Sequence, residues 1–348
     1  LNCMTEIVVP SIDVVIPVYN APVLTRRCID SVVSCLSESI EHIHIQDDAS
    51  NTETHEMLDD LPYECVHVYH SQRNQGFGAS VNDAVGRSNA SYILVLNSDI
   101  EVSEDFLPRL CAAMAADEKL AVIAPTSNDS DHYNLNRYLL QPGGYIFTHR
   151  LPGYAFLIRR SVFQEVGGFD PAFGRGYYED IDLGRRIIQR NWRMGVHPDT
   201  FIYHVGGGSF GRGLAYRALK RRSRSIYFSR HLNAKRNVLI LSGSCQQNNF
   251  PLSLLNAIDE VFQRGGVVHL LSTESATKIP CLHMKNSPAN LLIVVRLMMF
   301  HGWLRKDKRI SDVWLLLPSN SGFLRKLLVL LSQARGIKII TWKSNFVK

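Results

Sequence analysis

Five short stretches of this 348-residue chain carry side chains able to do chemistry. Asp47-Asp48-Ala49-Ser50 sets two carboxylates side by side. A carboxylate there can accept hydrogen bonds from a nucleobase imide and a ribose hydroxyl, although Asp and Ser also build ordinary turns. Asn97-Ser98-Asp99 offers a single carboxylate among polar neighbours. A hard divalent cation takes oxygen ligands, and one that bridges two phosphates needs only one or two protein carboxylates. A turn or a helix cap uses the same residue types. Tyr177-Tyr178-Glu179-Asp180-Ile181-Asp182 crowds three acids into four positions, and such crowding raises a carboxylate toward the range of a general base. The helix-like LGRRIIQR that follows gives a second reason for the acids, since a helix dipole favours them at its start. His204-Val205-Gly206-Gly207-Gly208-Ser209 pairs an imidazole, which can complete a metal shell, with glycines that let backbone amides approach a phosphate. Arg73-Asn74-Gln75-Gly76-Phe77-Gly78, running into Val81-Asn82-Asp83-Ala84, is a glycine-rich turn entering a helix, where amides can face an anion. It is not a GxGxxG fingerprint, and neither that motif nor a P-loop occurs in the chain, which argues against a nicotinamide enzyme or an ATPase.

The elements that must hold these groups alternate between strands and helices. Ile12–Val18 (IDVVIPV) is an apolar, β-branched run stopped by turn residues, and positions 24–36 then show helical spacing. HIHIQ at 42–46 alternates into Asp47, residues 65–69 alternate likewise, and YILVL at 92–96 runs into Asn97. A helix over 106–116 and a short strand at 122–124 follow, then a polar loop over 127–144, long enough to be functional. Strands separated by helices predict a parallel sheet, whose ligands sit at the carboxyl ends of the strands. That geometry puts Asp47, Asp48 and Asp99 at the ligand end.

The ordered succession PVYN, DDAS, RNQGFG, NSD, GGFD, YYEDIDL and HVGG resembles the family 2 glycosyltransferases of GT-A fold. It is most similar to the rhamnosyltransferase-like branch that builds bacterial surface polysaccharides. The resemblance spans residues 12 to about 232. It implies an α/β GT-A fold, a mostly parallel sheet flanked by helices. It further implies that Asp47 binds the base of a nucleotide-diphosphate sugar, in a pocket lined by Pro17, Tyr19 and Asn20. The same donor site takes in Asp48, Asn74, Gly76, Asn82, Asn97 and Ser98. Asp99 matches the last acid of the DxD metal motif and His204 the histidine that joins that metal, Mn²⁺ or Mg²⁺. Asp180, with Glu179 beside it, matches the general base that deprotonates the acceptor hydroxyl, and one base with one displacement implies inversion. The chain departs from the family pattern at Asn97, which stands where the first DxD acid would be.

Composition sets the frame. At 45% hydrophobic the chain is too apolar for disorder. Its longest greasy run, 291–300, is far short of the roughly 20 residues of a bilayer span. The start, LNCMTEIVVP, has no secretory-signal pattern, so the expected setting is cytoplasmic or peripheral at the inner face of the cytoplasmic membrane. Seven cysteines at 3, 28, 35, 65, 111, 245 and 281, with no CxxC spacing, indicate neither a disulfide framework nor a zinc cluster. The net charge of +6 hides a split: residues 1–199 hold 27 acids and 15 bases, residues 200–348 hold 5 and 23. No acid falls in 200–258. Over 212–236 the basic residues Arg212, Arg217, Lys220, Arg221, Arg222, Arg224, Arg230 and Lys235 interleave with Leu214, Tyr216, Leu219, Ile226, Tyr227 and Phe228. That pattern suits a helix lying on an anionic membrane, beside a glycan or polyprenyl-diphosphate-linked acceptor, and equally a solvated helix that closes the domain. No nucleic-acid module accompanies the charge.

Near Asn233 the strand-turn-helix pattern restarts with VLIL at 238–241, a helix over 252–264, and strands at 267–271, 313–317 and 337–341. The expected domains are therefore 1–232, GT-A, and 233–348, an incomplete Rossmann-like α/β segment that resembles the start of a GT-B-type lobe. The chain reads as a piece of a longer protein. Two rival functions fit some of these residues. A nucleotidyltransferase would share the base pocket and the metal aspartate without needing Glu179-Asp180, and a non-catalytic nucleotide-sugar-binding module would need no base at all.

Overall fold

A computed structural model describes residues 10–128, 134–206, 213–232, 234, 236–273, 278–302, 308–316 and 322–342. Cys3, Gly207, Gly208, Ser209, Arg212, Asn233, Lys235 and Leu317 lie outside the described residues, as does the side chain of Tyr216. The chain divides into two compact units, the first built from residues up to 133, 140–145 and 150–227, the second from 134–139, 146–149 and 228–348.

In the first unit β1 (Ile12–Val18), α1 (Pro22–Leu36), β2 (Ile43–Asp47), α2 (Thr52–Asp59), β3 (Val66–His70), α3 (Phe77–Arg87) and β4 (Tyr92–Leu96) follow one another as the alternation predicts. All seven residues of β1 are buried, because a central parallel strand is covered on both faces. Pro17 is tolerated there since the ladder to β4 ends at Val15, so its missing N–H breaks no bond on that side. Helix α1 starts with Pro22, whose absent N–H costs nothing in a first turn, and buries Thr25, Cys28, Ile29, Val32 and Leu36. Helix α2 is capped by Asn51, whose side chain accepts from the Thr54 amide.

Beyond β4 come β5 (Ile100–Glu101), α4 (Leu107–Ala116), β6 (Leu120–Ser127), then β7 (Ile146–Thr148), whose residues count with the second unit, and β8 (Ala155–Arg159), α5 (Arg160–Glu165), α6 (Glu179–Gln189), β9 (Arg193–His204) and α7 (Leu214–Arg230). The strand order is β3-β2-β1-β4-β8-β6-β9-β5. Most pairings are parallel, but β8 runs antiparallel to both β4 and β6, and β5 antiparallel to β9. Neither β8 nor β9 is flagged by the sequence pattern, because AFLIR leads straight into helix α5 and the polar β9 mixes buried and exposed positions.

Phe169, from the GGFD stretch, anchors the core of this unit. It is fully buried, with the rings of Phe77, Phe163 and Phe156 at 5.5, 5.9 and 6.5 Å. Asn82 of α3 donates from Nδ2 to its carbonyl and accepts its amide at Oδ1, both at 2.8 Å.

The second unit has β10 (Asn237–Gly243), α8 (Leu252–Gln263), β11 (Val268–Ser272), β12 (Met284–Pro288), α9 (Leu291–Val295), β13 (Ile310–Leu315), α10 (Gly322–Arg335) and β14 (Lys338–Thr341). The order β12-β11-β10-β13-β14 is parallel throughout. It is the 3-2-1-4-5 arrangement of a doubly wound sheet, so the segment holds five strands of that pattern. Residues 137–139 add to this unit through backbone bonds to Ile279, and Phe147 through one to Leu282. The sequence boundary at 233 cannot show that exchange, and the structural division at 227/228 falls inside α7. Residues 291–300 form α9 and a π-helical turn, and no described helix is long and apolar enough to cross a membrane. The six described cysteines are free.

Truncating Phe169 to Ala should cost about 3–5 kcal/mol, the usual range for a fully buried aromatic. Urea unfolding of the variant checks it, with a loss under about 1 kcal/mol contradicting the anchoring role.

Candidate active site

The carboxyl ends of the strands are held together by turns that use strained backbone. Six described non-glycine residues have positive φ, and five of them border the predicted site residues: Asn20, Ala21, Ala49, Tyr177 and Tyr178. Left-handed backbone at non-glycine positions is unfavourable and persists where the surroundings impose it. The turn after β1 is clamped to the one after β2: the Asn20 amide donates to Ser50 Oγ, and the Asn51 amide to Asn20 Oδ1, both at 2.8 Å. Tyr19 and Asn20 are partly exposed and Pro17 is buried.

Several residues expected at the nucleotide sugar have jobs inside the protein. Asp48 accepts the Gln75 and Gly76 amides on its two oxygens, at 2.6 and 2.8 Å, which fixes the RNQGFG loop against β2. Burial raises its pKa, opposed by those amide bonds. Gly76 sits at φ +92°, where an added Cβ would lie 2.1 Å from the Gly174 carbonyl oxygen, so close backbone approach requires a glycine there. Asn82, as described, ties α3 to Phe169. Asn74 differs: its Oδ1 is buried with no hydrogen-bond partner.

Asp47 is only 1% exposed. Its Oδ1 accepts the Ser50 amide at 3.1 Å, and its Oδ2 is 2.8 Å from His70 Nδ1. The sequence singles out Asp47 but not His70, whose only signal is a polar residue at the end of β3, one strand away in the register that pairs the two.

Asp99 and His204, 105 positions apart in the chain, come together. His204 Nε2 is 3.3 Å from Asp99 Oδ1, both side chains being partly exposed. The reason is β-pairing: Ile100 lies opposite His204 in the β5–β9 ladder, and the Val205 amide bonds to the Asp99 carbonyl. Asn128 fixes the His204 backbone on both sides, and the ring of Tyr154 stacks on the imidazole at 5.6 Å. Asn97 and the buried Ser98 form the tight turn before β5, with the Ile100 amide bonding to the Asn97 carbonyl.

Glu179 and Asp180 open α6, with Asp182, in its first turn. Glu179 is buried and its Oε2 has no partner; burial, reinforced by the Asp180 charge, pushes its pKa up to about 8. Burial also raises Asp180, against the pull of Arg150 and, more weakly, Lys220. Asp180 packs over Gly153, where a Cβ would lie 3.0 Å from its Oδ2. Asp182 instead makes a 2.8 Å ion pair with Arg186 and is structural. Helix α7 covers this segment. Ser223 Oγ donates to the Gly176 carbonyl at 2.8 Å, the Tyr227 ring lies 5.5 Å from Tyr178, and Lys220 stands over Tyr177. Trp192 is partly buried against the core and donates to Glu165, which makes it a packing residue.

An acid whose pKa is raised in the fold binds a proton that the unfolded chain has already lost. Stability therefore falls as pH rises from about 4.5 to about 8. Glu179→Gln removes that loss, so its melting temperature should gain on the parent by several degrees between pH 5 and pH 8 and hold the gain above. Melting curves across that range test it; parallel curves for the two proteins contradict a buried, proton-binding Glu179.

Residues 13–181 match the family model described as glycosyl transferase family 2. The chain is 27% identical over 228 residues to the succinoglycan biosynthesis protein ExoO of Rhizobium meliloti (strain 1021), covering 59% of this chain and 64% of that protein. It is 40% identical over 62 residues to the N-acetylglucosaminyl-diphospho-decaprenol L-rhamnosyltransferase of Mycobacterium tuberculosis (strain ATCC 25618 / H37Rv), 18% of this chain and 20% of that protein. The solved structure of GalNAc-T7 with UDP, GalNAc and Mn²⁺ superposes with a TM-score of 0.51 at 16% identity, over 65% of this chain and 50% of that one, a likeness of fold. The chain thus spans less than two thirds of the length of each of these proteins. Residues 13–181 are a family 2 glycosyltransferase domain, set in a GT-A fold.

Proposed function

We propose that this chain transfers a sugar from a nucleotide-diphosphate sugar, dTDP-rhamnose or a UDP-sugar, to a hydroxyl of a growing, lipid-linked surface glycan, with inversion at the anomeric carbon. The observation that carries the reading is the Asp99–His204 pair at the strand ends. One carboxylate and one imidazole, both reachable from solvent, suit a Mn²⁺ or Mg²⁺ ion that keeps its other positions for a diphosphate. When bound, such an ion would stabilise the charge of the departing nucleoside diphosphate. Asn97, in place of a second acid, leaves Asp99 and His204 as the residues that would hold it.

Asp180 is the base in this reading. Its raised pKa brings it toward the range where a carboxylate accepts a proton effectively near neutrality, and Glu179 beneath it keeps the local charge low by retaining its own proton. Arg150 and Lys220 supply positive potential on the same side. Tyr19, Asn20 and Asn74 line the donor side; the unpartnered Asn74 Oδ1 supports a ligand hydroxyl there. The exposed basic residues of α7 suit an anionic membrane surface or a lipid diphosphate, which supports a position at the inner face of the cytoplasmic membrane. The doubly wound sheet of the second unit supports a Rossmann-like lobe of GT-B type.

Asp180→Asn should lower kcat by about 10²- to 10⁴-fold while donor affinity stays within a factor of a few. Retained turnover removes Asp180 from this role. EDTA should abolish transfer and Mn²⁺ restore it. The released product should be nucleoside diphosphate; pyrophosphate would point to nucleotidyl transfer instead.

A further inference from the structure

The geometry points to a second metal site, for a transition-metal dication of the zinc class, formed by His55, Asp59 and His70 and distinct from the Asp99–His204 pair. His55 and Asp59 lie four residues apart on α2 and so share one helix face. His70 ends β3. Asp59 reaches both imidazoles: Oδ2 is 3.1 Å from His55 Nδ1 and Oδ1 is 3.0 Å from His70 Nε2. The two rings stack with centroids 3.7 Å apart and planes within 17°. One ligand atom from each residue falls within 4.8 Å of the others, and neighbouring ligands of a tetrahedral zinc stand about 3.3 Å apart, so the three donors are already gathered, and a tilt of the exposed His55 ring out of its stack on His70 is the rearrangement an ion would require.

Donor chemistry selects the metal. Two nitrogens and one carboxylate are a poor offer to Ca²⁺ or Mg²⁺, which want mostly oxygen, and a good one to Zn²⁺, Ni²⁺ or Co²⁺. Three protein ligands leave a fourth position for water. The outer shell is also present. His70 turns its other nitrogen, Nδ1, to Asp47 Oδ2 at 2.8 Å, and Asp47 is buried and further held by the Ser50 amide. A histidine that ligates through one nitrogen and donates from the other to a fixed carboxylate is the arrangement that orients metal-bound imidazoles and raises their basicity. Strand β3 is the edge of the sheet, whereas Asp99 and His204 belong with β5 and β9 at the other end of the strand order, so the two sites are separately testable.

The probe is Zn²⁺ itself, followed by isothermal titration, with Co²⁺ absorption as a second readout. The protein is the full chain carrying Asp99→Ala, which removes the carboxylate of the other pair. It should bind one equivalent of Zn²⁺ and give the intense visible bands of four-coordinate Co²⁺. Adding His55→Ala and Asp59→Ala together should weaken Zn²⁺ at least 100-fold and erase the Co²⁺ bands, while the metal-free melting temperature stays put because both side chains are exposed. Unchanged Zn²⁺ affinity in that variant, or no binding by the parent at micromolar metal, overturns the site. Transfer activity plays no part in the readout, so failure here leaves the glycosyltransferase reading untouched, and the reverse also holds.

Discussion

The acidic end of this domain depends on two adjacent carboxylates, Glu179, buried, and Asp180, half-buried, being withdrawn from water at the start of one helix. Removing charge from water is expensive unless it is neutralised or paired. The structure applies both remedies. Glu179 keeps its proton near neutrality, and Asp180 faces Arg150 and Lys220. The helix dipole adds a little. Presenting the pair needs two successive residues, Tyr177 and Tyr178, in left-handed backbone, and that strain needs a cover to sustain it. Helix α7 is the cover, through Ser223, Tyr227 and Lys220. The basic run with no compensating acids, which in the sequence suggests a membrane-binding helix, has a structural reason first: one face packs on the acidic segment. Arg217, Arg221, Arg222 and Arg230 of the same helix stay exposed.

A second economy governs the strand ends. Acids and amides cluster there, and most are used to build the turns that present the rest. Asp48 holds the RNQGFG loop, Gly76 lets that loop meet residues 174–175, and Asn82 fastens GGFD through Phe169. A motif seen as a string of ligand residues is therefore, in three dimensions, a set of clamps around a few residues that face the ligand. Asn74 differs from these clamps in that its buried Oδ1 has no hydrogen-bond partner within the protein.

This also explains what could be read from the chain. The run β1 to β4 was legible because continuous apolar strands and 3.6-residue periodicity are local signals, and the carboxyl-end rule then placed Asp47 and Asp99. The joining of Asp99 to His204 is not local. It depends on β5 and β9 pairing across 105 residues, and only the ordered family resemblance suggested it. Strand β8 escaped because antiparallel insertion into a parallel sheet leaves no periodic trace, and residues 134–139 and 146–149 escaped because they bond to Ile279 and Leu282 far along the chain. Of the five described strands from 237 on, four were legible as apolar runs, and β12 (Met284–Pro288) was not, because its sequence MKNSP is polar and mostly not buried. His55, Asp59 and His70 were invisible for a similar reason: an i, i+4 pair is common on exposed helices, and its meaning appears only when β3 brings the third residue alongside.

Asp47 stands where these threads meet. The family resemblance gives it the nucleobase, yet it is buried and already bonded to Ser50 and His70. A carboxylate oxygen has two lone pairs, so neither bond excludes a ligand outright, but Oδ2 is already engaged by His70. A base that takes its hydrogen bond from Asp47 Oδ2 competes with His70 for that oxygen, and a metal that fixes His70 strengthens the competitor. Linkage then makes the opposition mutual: whatever factor the metal imposes on base affinity, the nucleotide imposes on metal affinity. Were Asp47 to read the base and His70 to hold a metal, as proposed, the two sites would meet at the single 2.8 Å contact between His70 Nδ1 and Asp47 Oδ2.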